Sequence, residues 1–158
     1  MSKKILFVSS QGGHLNELLQ LLPLIKKYNS FLVTEKSKNT LFVDEIFKKN
    51  KLFFVKQVRK NNYFSYITSL LILSIQSIII FFKIYPDIII STGSITAIIF
   101  CSLAKIFHKK VIYIETYAAI KKPSIAAKII YPISNRFYIQ WEEMKKFYPK
   151  AIYIGSLY

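Results

Sequence analysis

Behind the apolar run Lys4-Ile5-Leu6-Phe7-Val8 the chain reads Ser9-Ser10-Gln11-Gly12-Gly13-His14-Leu15, and an apolar-periodic stretch begins at Leu15. A buried strand, a glycine turn and a helix start, in that order, form the arrangement with which α/β proteins build an anion site. Glycine lets the backbone come close to a ligand, and the free N–H groups and dipole of the helix face it. The chain has only four glycines in 158 residues. Two stand here, and a third, Gly93, stands behind another apolar run, so general flexibility does not account for them.

Apolar runs alternate with helical stretches along the whole length. Strands are expected near 4–9, 30–34, 52–56, 87–91, 110–115, 136–140 and 151–154. Helical stretches are expected near 14–28, 40–50, 64–84, 94–107, 123–132 and 141–147. Such alternation predicts βαβ units and an α/β, doubly wound parallel sheet, formed by 1–158 as a single domain. Runs such as Ile88-Ile89-Ile90 and Val111-Ile112-Tyr113-Ile114 are continuous rather than alternating, as strands buried on both faces require.

The formal net charge of +15 invites a nucleic-acid or anionic-membrane reading. Only Arg59 and Arg136 of the 23 basic residues are arginine. Lysine lacks the bidentate geometry of base readout, and no nucleic-acid motif is present, so no nucleic-acid partner is expected. Lysine acting as a point charge suits an anionic membrane surface. Cys101 is the single cysteine, lies in an apolar helical run and reads as a small buried hydrophobe. Met1-Ser2-Lys3-Lys4 has no leader character, and a cytoplasmic location is expected.

From Asn61 to Phe82 there is no charge, with Arg59 and Lys60 before the stretch and Lys83 after it. Its length reaches the range of a membrane span, yet Ser65, Thr68, Ser69, Ser74, Gln76 and Ser77 interrupt it. Ser69, Gln76 and Lys83 recur every seven residues and share a helix face. This favours a packed helix whose greasy outer side, including Ile72, Ile79 and Phe82, dips into one leaflet. A plain core helix and a spanning helix are the other readings.

The second glycine loop is Ser91-Thr92-Gly93-Ser94, whose hydroxyls can face a ligand or cap the next helix. In a doubly wound sheet it neighbours the first loop across the switch point, and two such loops on one crevice suit a diphosphate. Glu115 ends a strand at the same edge, as a ligand-hydroxyl acceptor or as a loop organiser. His14 is open to three roles: general base, diphosphate partner or turn cap. Glu35 stands where a ribose-binding acid would, but the dinucleotide fingerprint is incomplete, and no cofactor is expected. Histidines and acids are too scattered for a metal site.

Val8-Ser9-Ser10-Gln11-Gly12-Gly13-His14-Leu15, Ile90-Ser91-Thr92-Gly93, Ile114-Glu115-Thr116-Tyr117-Ala118 and Gln140-Trp141-Glu142-Glu143-Met144 together resemble one family over nearly the whole chain. It comprises the bacterial capsule and exopolysaccharide enhancer subunits of two-part glycosyltransferases. They are relatives of the membrane-anchoring subunit of the dolichol-linked N-acetylglucosaminyltransferase. The resemblance implies a Rossmann-like, N-terminal acceptor-side half of a split GT-B enzyme, with a separate catalytic subunit holding the nucleotide sugar. It implies that a polyprenyl-diphosphate-linked sugar meets Gly12, Gly13, His14, Thr92, Gly93 and Ser94, with His14 and Glu115 as candidate catalytic residues. Membrane association would use Ile72, Ile79, Phe82 and Lys83 at the cytoplasmic face. Partner contact would use the apolar end, Ile154, Gly155, Leu157 and Tyr158. The alternatives are a self-sufficient transferase and a Rossmann-type module for a soluble nucleotide.

Overall fold

The computed structural model describes residues 3–36, 43–47, 51–58 and 62–158. Seven strands, β1 (Lys4–Val8), β2 (Asn29–Glu35), β3 (Leu52–Val55), β4 (Ile88–Ser91), β5 (Lys110–Ile114), β6 (Arg136–Ile139) and β7 (Ile152–Tyr153), form one parallel sheet in the order β3-β2-β1-β4-β5-β6-β7. The order reverses between β1 and β4. Phe7 lies opposite Ile90 there and Val8 opposite Ser91, which sets the two glycine loops side by side.

Each face of the sheet buries its own cluster. Ile5, Phe7, Leu32 and Ile90 pack with Leu15 and Leu18 of α1 (Gly13–Leu19) and Ile25 of α2 (Leu22–Lys27), and Val43 of α3 (Val43–Ile46) joins them. Leu6, Val8, Val33, Ile89, Val111 and Ile139 point the other way, into α4 (Tyr63–Ile84), α5 (Ile95–Ile106) and α6 (Ile125–Ile130). Alternate residues of one strand thus feed two cores, which is why the strand sequences are apolar throughout. Cys101 is fully buried on α5, and burial pushes its thiol pKa up to about 12.

The predicted helix 14–28 is two helices. Pro23 cannot donate an N–H, and in a continuous helix its ring would meet the carbonyl of Leu19. The chain therefore turns at Gln20-Leu21 and restarts with the proline in the first turn of α2. Pro132 similarly ends α6 in a 3-10 turn, Tyr131–Ile133, and the stretch at 141–147 is a 3-10 turn, Glu142–Lys146. Of the helix expected at 40–50, α3 is what the described residues contain; Arg59, Lys60 and Asn61 lie outside them.

The long apolar stretch forms α4, 22 residues, with the Asn62 side chain accepting from Ser65 N at 2.7 Å. It ends where Tyr85 turns left-handed (φ 48) ahead of Pro86. Ser69, Leu73, Ser77, Ile80, Phe81 and Ile84 form its buried face. The opposite face leaves Leu71, Ile75, Ile79 and Phe82 at least half exposed, with Ile72 close behind. The face shared by Ser69, Gln76 and Lys83 turns toward the sheet side. Ser69 is buried, Gln76 Oε1 accepts from Lys56 N at 2.7 Å, and Lys83 Nζ sits 5.4 Å over the Phe53 ring. The hydroxyls of Thr68, Ser69 and Ser74 donate to carbonyls one turn back, so these polar groups need no water. Among the described residues α4 is the one helix long and apolar enough to cross a membrane.

The two faces make opposite demands on stability. Phe81→Ala, in the core, is expected to cost about 3–5 kcal/mol, whereas Ile79→Ser, on the outer face, should change stability by less than about 1 kcal/mol. Urea unfolding of the two variants in detergent-free buffer checks this.

Candidate functional site

The first loop leaves β1 at Val8 and enters α1 at Gly13; Gly12 carries φ 81, a left-handed value that glycine adopts without strain. The second leaves β4 at Ser91 and enters α5 through Ser94. Two reciprocal hydrogen bonds join them. Thr92 Oγ1 donates to the His14 carbonyl at 2.7 Å, and His14 Nδ1 lies 3.1 Å from the Thr92 carbonyl. A carbonyl only accepts, so Nδ1 carries the proton. In the neutral ring Nε2 then holds the lone pair, and it has no partner among the described residues.

Gly93 makes room for this ring. A Cβ built there would lie 2.9 Å from both Cε1 and Nδ1 of His14, and the backbone stands at φ 112. Ser94 follows at φ 145, a strained value for a residue with a side chain, and its Oγ accepts from Ala97 N at 3.2 Å as the cap of α5. Ser91 Oγ accepts from Gly93 N at 3.3 Å. The hydroxyls of 91, 92 and 94 are thus engaged locally, and the groups left for a ligand are the first-turn N–H groups of α5 and the free edge of His14. Gly12 and Gly13 are exposed, with nothing near where a Cβ would stand.

His14, Ser94 and Ile95 line an open crevice of ≈ 320 Å³ with Ser10 and Glu35 on one side and Ser124, Ile125 and Ala126 on the other. Val58, just ahead of α4, also lines it. Glu35 ends β2 nearly buried. Burial raises its pKa, opposed by the N–H of Gln11. Lys121 and Lys122 are exposed on the segment leading to Ser124. A larger concavity of ≈ 590 Å³, lined by Arg136 and Lys150, lies at the opposite sheet edge, beside the start of β6, away from both glycine loops.

Glu115 does not face the crevice. It is 1% exposed, its Oε1 accepts from Thr116 N at 3.1 Å, and its Oε2 accepts from Ser124 N at 3.4 Å and from the Tyr148 hydroxyl at 3.3 Å. Of its two expected roles, this geometry is that of a loop organiser. Burial is the main cause that raises its pKa above the usual carboxylate range.

Several residues that the sequence reading passed over complete the surroundings. Glu17, one turn after His14, reaches the 116–117 turn. Gln140 Nε2 donates to the Glu115 carbonyl at 3.0 Å and Trp141 Nε1 to the Tyr117 carbonyl at 2.7 Å. The legible signal for Glu17 was an acid set among Leu15, Leu18 and Leu19; Gln140 and Trp141 lay in a quoted motif without a role. At the end of the chain Ile154 N donates to the Ile139 carbonyl at 3.1 Å, Gly155 turns at φ 73, and Leu157 N donates to Gln140 Oε1 at 2.9 Å. Ile154 is 42% exposed and Tyr158 62% exposed, while Leu157 is half-buried.

The crowding at Gly93 predicts coupling. Gly93→Ala should unfold more easily than wild type, and His14→Ala should recover part of that loss by removing the ring a Cβ would strike, so the two changes are non-additive. Denaturation of both single variants and the double variant measures it. Glu115 predicts a pH effect. Because its folded pKa is raised, the folded state holds the proton more tightly, and wild type loses stability as pH rises from about 4 through the folded value. Glu115→Gln lacks that loss. The stability difference should move toward the Gln variant across this window and level off above it, as urea titrations at stepped pH will show.

The model of the family described as "Oligosaccharide biosynthesis protein Alg14 like" matches residues 5–157. The UDP-N-acetylglucosamine transferase subunit alg14 of Schizosaccharomyces pombe is 32% identical over 177 residues, covering 97% of this chain and 82% of that protein. Among solved structures, UDP-N-acetylglucosamine 2-epimerase from Rickettsia bellii superposes with a TM-score of 0.73 at 16% identity, over 99% of this chain and 46% of its own. MurG of Acinetobacter baumannii gives 0.72 at 11% identity, over 98% of this chain and 45% of its own. The chain spans just under half the length of these two structures, and at such identities the likeness is one of fold. None of these names points to capsule or exopolysaccharide assembly. Glycine loops, sheet order and a match over nearly the whole sequence agree: the chain belongs to the Alg14 family, accessory subunits of glycosyltransferases.

Proposed function

We propose that this chain is the acceptor-side subunit of a two-component glycosyltransferase. It holds a polyprenyl-diphosphate-linked sugar at the cytoplasmic face of a membrane while a separate catalytic subunit, the C-terminal GT-B half, supplies the activated sugar. The observation that carries the reading is the reciprocal His14–Thr92 staple, which leaves a basic nitrogen, His14 Nε2, beside the start of a 12-residue helix. In the transfer a hydroxyl of the acceptor sugar attacks C1 of the nucleotide sugar. The new C1–O bond forms, the bond from C1 to the diphosphate breaks, and the hydroxyl proton passes to His14 Nε2. The α5 N-terminus suits the acceptor's diphosphate, and Lys121 and Lys122, exposed on the segment leading to Ser124 of the crevice, add positive charge to that segment.

The relatives' name, UDP-N-acetylglucosamine transferase subunit, supports N-acetylglucosamine as the transferred sugar and a complex as the working unit. The resemblance to enhancer subunits extends the proposal to capsule or exopolysaccharide assembly as the setting. The outer face of α4 supports membrane binding. The helix packs on the domain through Ser69, Leu73, Ser77, Ile80, Phe81 and Ile84, so spanning would drag the sheet into hydrocarbon. Lying in the interface lets Leu71, Ile72, Ile75, Ile79 and Phe82 enter one leaflet without that cost. The exposed Tyr63, Phe64 and Ile125 put further apolar surface at the crevice end of the domain.

The test is reconstitution with the catalytic subunit on anionic vesicles bearing a polyprenyl-diphosphate sugar. Activity is expected only when both chains are present. His14→Ala should lower it about 10²–10⁴-fold without loss of co-purification. A variant with Ile72, Ile79 and Phe82 all changed to serine should leave the vesicles. Activity of the isolated chain would favour a self-sufficient enzyme, and tight binding of a nucleotide sugar by the isolated chain would favour a nucleotide module.

A further inference from the structure

We propose that Glu17 is a positioning residue that ties the His14 loop, the 116–118 turn and the 155–158 tail into one unit, so that a partner seated on the tail acts on the acceptor site through it. The inference rests on the function proposed above for its activity readout, though not for its structural one.

Glu17 is 3% exposed, on the same helix as His14 and three residues after it. Its Oε1 accepts from Thr116 Oγ1 at 3.0 Å and from Tyr117 N at 2.7 Å, bonds that span 99 and 100 residues of sequence. Its Oε2 is buried and has no partner among the described residues. A carboxyl in this position is expensive to bury, and a leucine would continue the apolar face of α1 without that cost. What distinguishes the acid is its grip on the turn. Burial raises its pKa, opposed by the Tyr117 N–H and the Thr116 hydroxyl.

The other side of the same turn is held by the end of the chain. The Tyr117 ring lies 4.8 Å from that of Trp141 and meets Tyr158 edge-on at 5.7 Å. Gln140 bonds the Glu115 carbonyl with its amide nitrogen and the Leu157 N–H with its oxygen. Glu17 is also close enough for its charge to raise the Tyr158 pKa, behind burial as the larger cause. Tyr158 itself is 62% exposed, so a partner can reach it. A displacement of Tyr158 or Leu157 reaches Tyr117 and Gln140, then Glu17, and then the helix that carries His14. A contiguous chain of contacts is a route for coupling, and a double-mutant cycle measures whether it is used.

Glu17→Ala, Glu17→Gln, Tyr158→Ala and the paired variants are assayed with the catalytic subunit, and the emission of Trp141, the only tryptophan, is read in the free chain. Glu17→Ala should lower kcat roughly 10- to 100-fold at unchanged donor KM, from the loss of two bonds to a buried carboxylate. Glu17→Gln keeps an oxygen for both donors and should stay within about threefold of wild type. Tyr158→Ala should cost less in the Glu17→Ala background than alone. Trp141 emission should shift to the red in Glu17→Ala and not in Glu17→Gln. Strictly additive losses, or an unshifted Trp141 with full kcat in Glu17→Ala, overturn the proposal. If Glu17→Ala does not fold, Thr116→Val removes one of the two donors and must show the same non-additivity with Tyr158→Ala; additivity there overturns it equally. A wild-type complex with no transferase activity defeats the function proposed above instead, and the Trp141 readings still decide the coupling.

Discussion

The pair of hydrogen bonds between His14 and Thr92 is the constraint on which the site depends. β1 and β4 are neighbours where the strand order reverses, and their loops leave the sheet together. Without a tie, two glycine-bearing loops would sample many relative positions. The bonds fix their separation and also fix which nitrogen of His14 carries the proton. Gly93 follows from the same contact, since the ring occupies the space a side chain would need. Ser94 is then held at a strained φ by the helix it caps. One contact thus sets tautomer, loop spacing and the identity of a residue on the facing loop.

Most of the fold was legible because strands buried on both faces leave an unbroken apolar signature, and all seven were placed to within a residue or two. The errors have particular causes. Apolar periodicity runs through Pro23, so 14–28 read as one helix although the proline ring forbids it. In the site, glycines and hydroxyls announced the loops and a hydroxyl cap for the next helix, which Ser94 supplies, but not that Thr92 would turn its hydroxyl to His14. Glu115 was legible as an acid at a strand end; that it turns inward depends on Tyr148 and Ser124, which no local pattern links to it. Glu17 was hidden for the same reason, because its partners lie about a hundred residues away.

The uncharged segment shows how composition can leave a choice that packing narrows. Serines and a glutamine within α4 argued against a membrane span and for a helix dipping into one leaflet. In the folded chain Thr68, Ser69 and Ser74 bond their own helix, and Gln76 caps a neighbouring strand end. The outer face is left to isoleucine, leucine and phenylalanine. Hydroxyl content alone is therefore a poor guide to what a helix surface offers, since hydroxyls such as these three are satisfied from within the helix, while Ser77 Oγ is buried without a partner among the described residues.

That helix also bears on how shallow the crevice can afford to be. At about 1.5 Å per residue, α4 is some 33 Å long, and it starts at the sheet edge where the crevice opens. In the proposed membrane-bound state, laid flat on a bilayer, it would confine the crevice to the thin layer in which lipid-borne sugars diffuse. Encounter then becomes a search in two dimensions, with effective concentrations far above those of a dilute solute. Under the proposed function, a crevice that is open and only ≈ 320 Å³ in volume would not need to bind tightly to be filled, and a weak grip would let the lengthened product leave as readily as the acceptor arrived.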